Sequence, residues 1–148
     1  GVQTGVGTHM PEVVDFLEEK NWDFDFYMTC LYNLSRKPRE SAIVSGNTDS
    51  EEDFRHEDRF LMYRRIQQTK KTCLVFKVLA AGRLCASSEQ VRKTFEEVYQ
   101  NIKPTDAVVV GMFPKHKDQV AENIRFVQEI VCSRNAIRVN QHATDEVP

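Results

Sequence analysis

Two short segments carry the residue types that could do chemistry. The first, Phe76-Lys77-Val78-Leu79-Ala80-Ala81-Gly82-Arg83-Leu84, is an apolar run that ends in a glycine-containing turn and leads towards a helix. The second, Lys115-His116-Lys117, is a basic cluster just ahead of a helical pattern. Backbone N–H groups and the dipole at a helix start both suit an anion. Strand, turn and helix in that order point to a phosphate or nucleotide site more than to any catalytic residue. A lysine such as Lys77 on a buried strand is costly without a partner, so an anion or a carboxylate is expected to meet it. The competing reading is a solvated lysine at the rim of the sheet. For Lys115, His116 and Lys117, phosphate binding stands against a solvated basic turn. Gln119, Glu122 and Asn123 open the following helix, where they suit an adenine edge or plain exposed polarity. His9 follows a strand end, but a lone histidine with no group to orient it is no catalyst.

Four cysteines, Cys30, Cys73, Cys85 and Cys132, are widely spaced and form no Cys-x-x-Cys pair. They read as free thiols in a cytoplasmic protein, with metal ligation or a disulfide as the lesser alternative. The 148 residues suffice for one domain with a core, and 41% hydrophobic with 28% charged residues is ordinary for a soluble globular chain. A net charge of −2 gives no basic field for nucleic acid. No apolar run reaches the roughly 20 residues that a membrane span needs, and the N-terminus lacks a signal-peptide pattern. The acidic run Asp49–Asp53 reads as solvated surface.

Positioning these residues requires strands that end where the turns begin. Gly1 to His9 predicts a short strand, and Pro11 opens a helix to Lys20 with Val13, Val14 and Leu17 on one face. Trp22 to Tyr32 reads as an aromatic-rich strand, and Arg36 to Arg55 as a long polar loop. A helix over His56–Gln68 carries Phe60, Tyr63 and Ile66 on one stripe, and Thr72 to Val78 is the third strand. Ser87 with Gln90 makes a capping box ahead of Val91, Phe95, Val98 and Ile102. Asp106 to Met112 is the fourth strand, and a helix over Lys117–Ser133 shows Val120, Ile124, Val127 and Val131 at helical spacing. Residues 134–148 show no clear pattern and are expected to be an irregular or frayed tail.

The order is four consecutive β-α units over residues 1–133, an α/β arrangement of parallel strands with right-handed crossovers. It fits a doubly wound sheet or half of a (β/α)₈ TIM barrel. No G-x-G-x-x-G follows the first strand, which disfavours a Rossmann fold, and a whole barrel typically needs about 250 residues. Half a barrel is the expectation. Its helices should lie on one face of the sheet, leaving the other face rich in Val, Phe and Leu and partly exposed.

The residues at these positions resemble the C-terminal half of the aldo-keto reductase barrel, its strands five to eight. Gly5-Val6-Gly7-Thr8-His9 is similar to that family's Gly-x-Ser-Asn segment, with Thr8 and His9 in the Ser and Asn places. Asp25 to Leu34 resembles its sixth strand, with Thr29 where a nicotinamide-binding Gln is usual. Phe76 to Leu84 resembles its Tyr-Ser-Pro-Leu-x-x-Gly-x-Leu turn, which wraps the cofactor pyrophosphate, with Lys77 in place of Ser. Lys115 to Asn123 resembles the loop and helix that hold the adenosine phosphate and adenine, with Phe113-Pro114 altering the turn. The resemblance implies cofactor contacts from Thr8, His9, Thr29, Phe76, Lys77, Leu79, Gly82, Lys115, His116, Gln119, Glu122 and Asn123. Phe76 would stack on the nicotinamide ring, or else simply point into the core. The implied cofactor is NADP or NAD, and the implied reaction of a full-length parent is reduction of a small carbonyl compound. The family's catalytic Asp, Tyr, Lys and His come from strands one to four, so no catalytic residue is assigned in this chain. Partners would be the cofactor, the substrate, and a missing N-terminal half-barrel or a second copy. The alternatives are a barrel of another family that keeps only a phosphate site, and a non-catalytic ligand-binding homologue.

Overall fold

The computed structural model describes residues 1–36 and 53–144, with side chains as far as Arg134. Its elements run β1 (Gly5–Thr8), α1 (Pro11–Lys20), β2 (Phe26–Cys30), α2 (His56–Gln68), β3 (Thr72–Phe76), a 3₁₀ turn (Ala80–Gly82), α3 (Ser88–Asn101), β4 (Ala107–Val109) and α4 (Gln119–Thr144). The long loop expected over Arg36–Arg55 lies outside the described residues from 37 to 52, as does the acidic run apart from Asp53.

The four strands form one parallel sheet in the order β1-β2-β3-β4. Its register places Thr8 beside Thr29, Thr29 beside Val75, and Cys30 beside Phe76. Alternation then separates two faces. Tyr27, Thr29, Cys73 and Val75 are buried on one of them, in a core shared with Val14 and Leu17 of α1, Met62 and Ile66 of α2, Phe95 and Val98 of α3 and Phe126 of α4. The opposite face carries Gly7, Met28, Leu74, Phe76, Ala107 and Val109, and here Met28 and Val109 are exposed. The helices cover one face only, as same-handed crossovers between neighbouring parallel strands require. Among the described residues no helix is long and apolar enough to cross a membrane.

The strands are shorter than their apolar runs. Asp25 accepts the Thr4 amide at 2.7 Å, which ties down the chain ahead of β1 and β2 outside the ladder. Lys77, with a left-handed φ of 56°, turns the chain out of β3 directly after Phe76. On β4, an edge strand, only Ala107–Val109 pair with β3.

Two expectations about the last helix need correction. It does not end near Ser133 but continues to Thr144, because residues 119–144 contain neither proline nor glycine to stop it. Its inward stripe is not Val120, Ile124, Val127 and Val131. Val120, Ile124 and Val131 are exposed, while Asn123 and Phe126 are buried and Ile130 packs on the core. Burial of Phe126 in the core goes with two polar contacts on neighbouring structure. Arg92 of α3 meets Glu129 at 3.2 Å, and Arg134 donates to the carbonyls of Tyr99 and Ile102 at the end of α3.

Candidate functional site

All strands point their C-terminal ends the same way, so the loops after β3 and β4 meet along one edge of the sheet. Two adjoining hollows lie there. The larger, about 640 Å³, has a floor of Met28, Phe76 and Val109 from the open face and walls from Lys77–Leu79, Ala81, Gly82, Cys85 and the 110–113 segment. The smaller, about 340 Å³, lies between the starts of α3 and α4 and is lined by Ser87, Ser88, Lys117, Glu122 and Asn123 among others. Leu79, Cys85, Gly111 and Gln119 line both.

The loop after β3 is built from uncommon backbone. Lys77, Ala80 and Ala81 have φ of 56°, 50° and 52°, and Gly82 has 93°. A left-handed alanine costs roughly 1–2 kcal/mol, so this loop holds its shape only because its surroundings fix it. Part of that fixing is internal. The N–H groups of Gly82 and Leu84 donate to the Leu79 carbonyl, Arg83 donates to Ala80, and Cys85 donates to Gly82, at 3.0–3.3 Å. These amides are therefore engaged within the loop.

A further tie comes from a residue that sequence reasoning missed. Arg59 of α2 is fully buried (0% exposed). It donates to Glu97 of α3 at 2.7 Å, to the Tyr32 hydroxyl at 2.9 Å, to the Tyr63 hydroxyl at 3.1 Å and to the Val78 carbonyl at 2.9 Å. Burial, with the Glu97 carboxylate beside it, holds the Tyr63 hydroxyl well above the ordinary tyrosine range. A signal was present in the sequence: Arg59 shares the i, i+3, i+4, i+7 stripe with Met62, Tyr63 and Ile66. A charged residue on a buried stripe must find several partners.

No known protein family, curated protein or solved structure matches the chain.

The residues singled out from the sequence divide into three groups. Phe76, Lys77, Leu79, Gly82, Gln119, Glu122 and Asn123 line one or both hollows. His9 stands beside them, its ring edge-on to Phe76 with centroids 5.4 Å apart. Thr8 and Thr29 do not join them, because they sit on the helix-covered face. The Thr8 hydroxyl accepts the Met10 amide at 2.9 Å, and the Thr29 hydroxyl is buried without a hydrogen-bond partner among the described residues. Lys115 and His116 are exposed and line neither hollow.

The basic residue that reaches the smaller hollow is Lys117. Its ammonium lies 2.5 Å from Glu122 and 2.6 Å from the Ser88 hydroxyl, tying the starts of α3 and α4 together. The Lys117 hydrogen bond holds the Glu122 carboxyl below the ordinary glutamate range. Gln119 accepts the Phe113 amide at 2.8 Å and closes the loop between the hollows. The Lys77 ammonium sits 5.3 Å from the Phe54 ring centre, a cation–π distance. The larger hollow therefore offers a flat ring and apolar walls, and the smaller one hydroxyls, amides and a lysine–glutamate pair. Among the residues lining the larger hollow there is no tyrosine, histidine or carboxylic acid.

Proposed function

We propose that this chain binds a nicotinamide dinucleotide along the C-terminal edge of its sheet, as the cofactor-binding half of an aldo-keto reductase-like (β/α)₈ barrel. The observation that carries the reading is convergence. Residues far apart in sequence, from Phe76 to Asn123, line two hollows that share a wall, at the strand ends where barrel enzymes keep their sites. The open sheet face and the exposed stripe of α4 support the half-barrel part, since both are surfaces that further β-α units would cover.

In this reading Phe76 and the apolar floor hold the nicotinamide end. Ser87, Ser88 and Lys117 take the phosphate-bearing end through side chains, and Asn123 with Gln119 takes adenine edges. NADP or NAD, when bound, supplies the hydride for reduction of a small carbonyl compound. The chain's own groups bind and orient; the proton donor for such a reaction would come from other strands. Four free thiols go with a reducing, cytoplasmic setting.

Calorimetric titration of the chain with NADPH and NADH tests this. Binding is expected to be weak, because loops without a second half-barrel must be ordered on binding. Lys117→Ala should weaken it by about 1.5–3 kcal/mol, as for a hydrogen bond to a charged group. Failure of both nucleotides to bind would remove the reading. A second reading, a ligand-binding protein without chemistry, is favoured by the lack of an acid among the described residues that line the larger hollow. Carbonyl reduction by a complex of this chain with a complementary half-barrel would rule it out.

A further inference from the structure

We infer that Arg59 is the positioning residue of the ligand site: from the core, through the Val78 carbonyl, it holds the left-handed loop that walls the larger hollow. Arg59 reaches the hollow's lining through its hydrogen bond to the Val78 carbonyl. Its other bonds anchor it to three separate places, Glu97 on α3, Tyr32 beyond β2 and Tyr63 on its own helix. Arg59 is thus a fixed point, and Val78 sits between two left-handed stretches, Lys77 on one side and Ala80 to Gly82 on the other. Non-glycine residues keep such angles only where neighbouring structure over-determines them. The loop's internal bonds run from Lys77 to Cys85, the first of them closing a turn around Val78 from the Ala80 amide to the Lys77 carbonyl at 2.9 Å, and the Arg59 bond to the Val78 carbonyl joins that turn to the protein's interior.

Removing the bond should let Ala80 and Ala81 relax towards ordinary angles and deform the hollow while the sheet stays intact. The inference rests on the nucleotide reading only for its binding arm. Its structural arm is amide exchange, followed residue by residue on the full chain.

In Arg59→Met, the amides of Gly82, Leu84 and Cys85 should exchange about tenfold faster or more, with β2 and β3 amides little changed. If the competent loop then falls to about a tenth of the population, the Kd for NADPH rises about tenfold. The decisive variant is Arg59→Met combined with Ala81→Gly. Glycine tolerates the angle at position 81 without a pin, so loop protection and affinity should recover, which a purely structural role for Arg59 would not allow. If Arg59→Met does not fold, Arg59→Lys keeps the charge but lacks the planar fork that reaches Val78 and Tyr32 together, and the same comparison is made there. Unchanged loop exchange, uniform loss of protection across the sheet, or no rescue by Ala81→Gly would each overturn the inference. Should the unmutated chain bind no NADPH, the cofactor reading fails and the exchange arm alone decides this one.

Discussion

Asp106 shows how much one side chain can hold at the end of the sheet away from the hollows. Its buried carboxylate accepts the Cys73 amide at 2.8 Å and the Lys103 amide at 2.7 Å, and pairs with the Lys103 ammonium at 3.0 Å. Asp106→Ala would leave a half-buried lysine and two amides without their acceptor. We expect a loss of about 3 kcal/mol, measured by urea denaturation, with Asp106→Asn losing less because it still accepts hydrogen bonds. Cys73 beside it is buried, and that burial, with Asp106 adding to it, pushes its thiol up to about 11. An unfolded thiol titrates near 8.5, so the fold keeps the proton that the unfolded chain releases. This contribution is whole below about pH 8.5 and is lost as pH rises towards 11. At pH 8 a thiol reagent should modify the exposed Cys85 and Cys132 quickly and the buried Cys30 and Cys73 only on unfolding. Rapid native-state labelling of Cys73, read by mass spectrometry, would contradict the packing described.

At the scale of elements, the loop between β3 and α3 is the feature whose parts disagree with their own preferences. Alanine at φ of 50° and 52° is unfavourable, and glycine at 93° is natural. Gly82→Ala is therefore expected to destabilise by about 1–2 kcal/mol. Ala81→Gly, ordinarily a destabilising change, should be neutral or stabilising by up to about 1 kcal/mol, since relief of the angle outweighs the added chain entropy. Thermal unfolding of the two variants against the parent checks both signs. By contrast, α3 starts as its sequence requires, with the Ser87 hydroxyl accepting the Gln90 amide at 3.1 Å. Gln90 reaches back to the Ala86 amide at 2.9 Å, one residue ahead of the usual capping-box partner.

At the scale of the whole molecule, the open face of the sheet is the feature with the largest consequence. Met28, Val109, Met112 and Phe113 are exposed together around the larger hollow, and Phe113 is 65% exposed. Monomers seldom expose a contiguous apolar patch of more than a few hundred Å². Light scattering should show concentration-dependent association of the chain, reduced by Val109→Lys on the open face. A monomer at high concentration would count against the half-barrel reading.

The positions of α1 and α2, the existence of four strands and their parallel order were legible in the chain, because each depends on local periodicity and caps. Pro11 and the stripe Tyr63–Ile66 mark their helices whatever surrounds them. The convergence of Phe76 with Gln119 and Asn123 was legible only through the order of the β-α units, which sends every strand end to the same edge. What the sequence alone did not decide was rotation and reach. The last helix carries two candidate apolar stripes, and only its packing on the core, where Phe126 and Ile130 meet α3 and the sheet's covered face, selects the one through Phe126. Lys117 and not Lys115 enters the smaller hollow, because the direction of a side chain in an irregular turn depends on where the next helix begins. Arg59 looked like one more polar helix residue; its burial follows from Tyr32, Val78 and Glu97, three residues from distant parts of the chain that meet only when the sheet has formed.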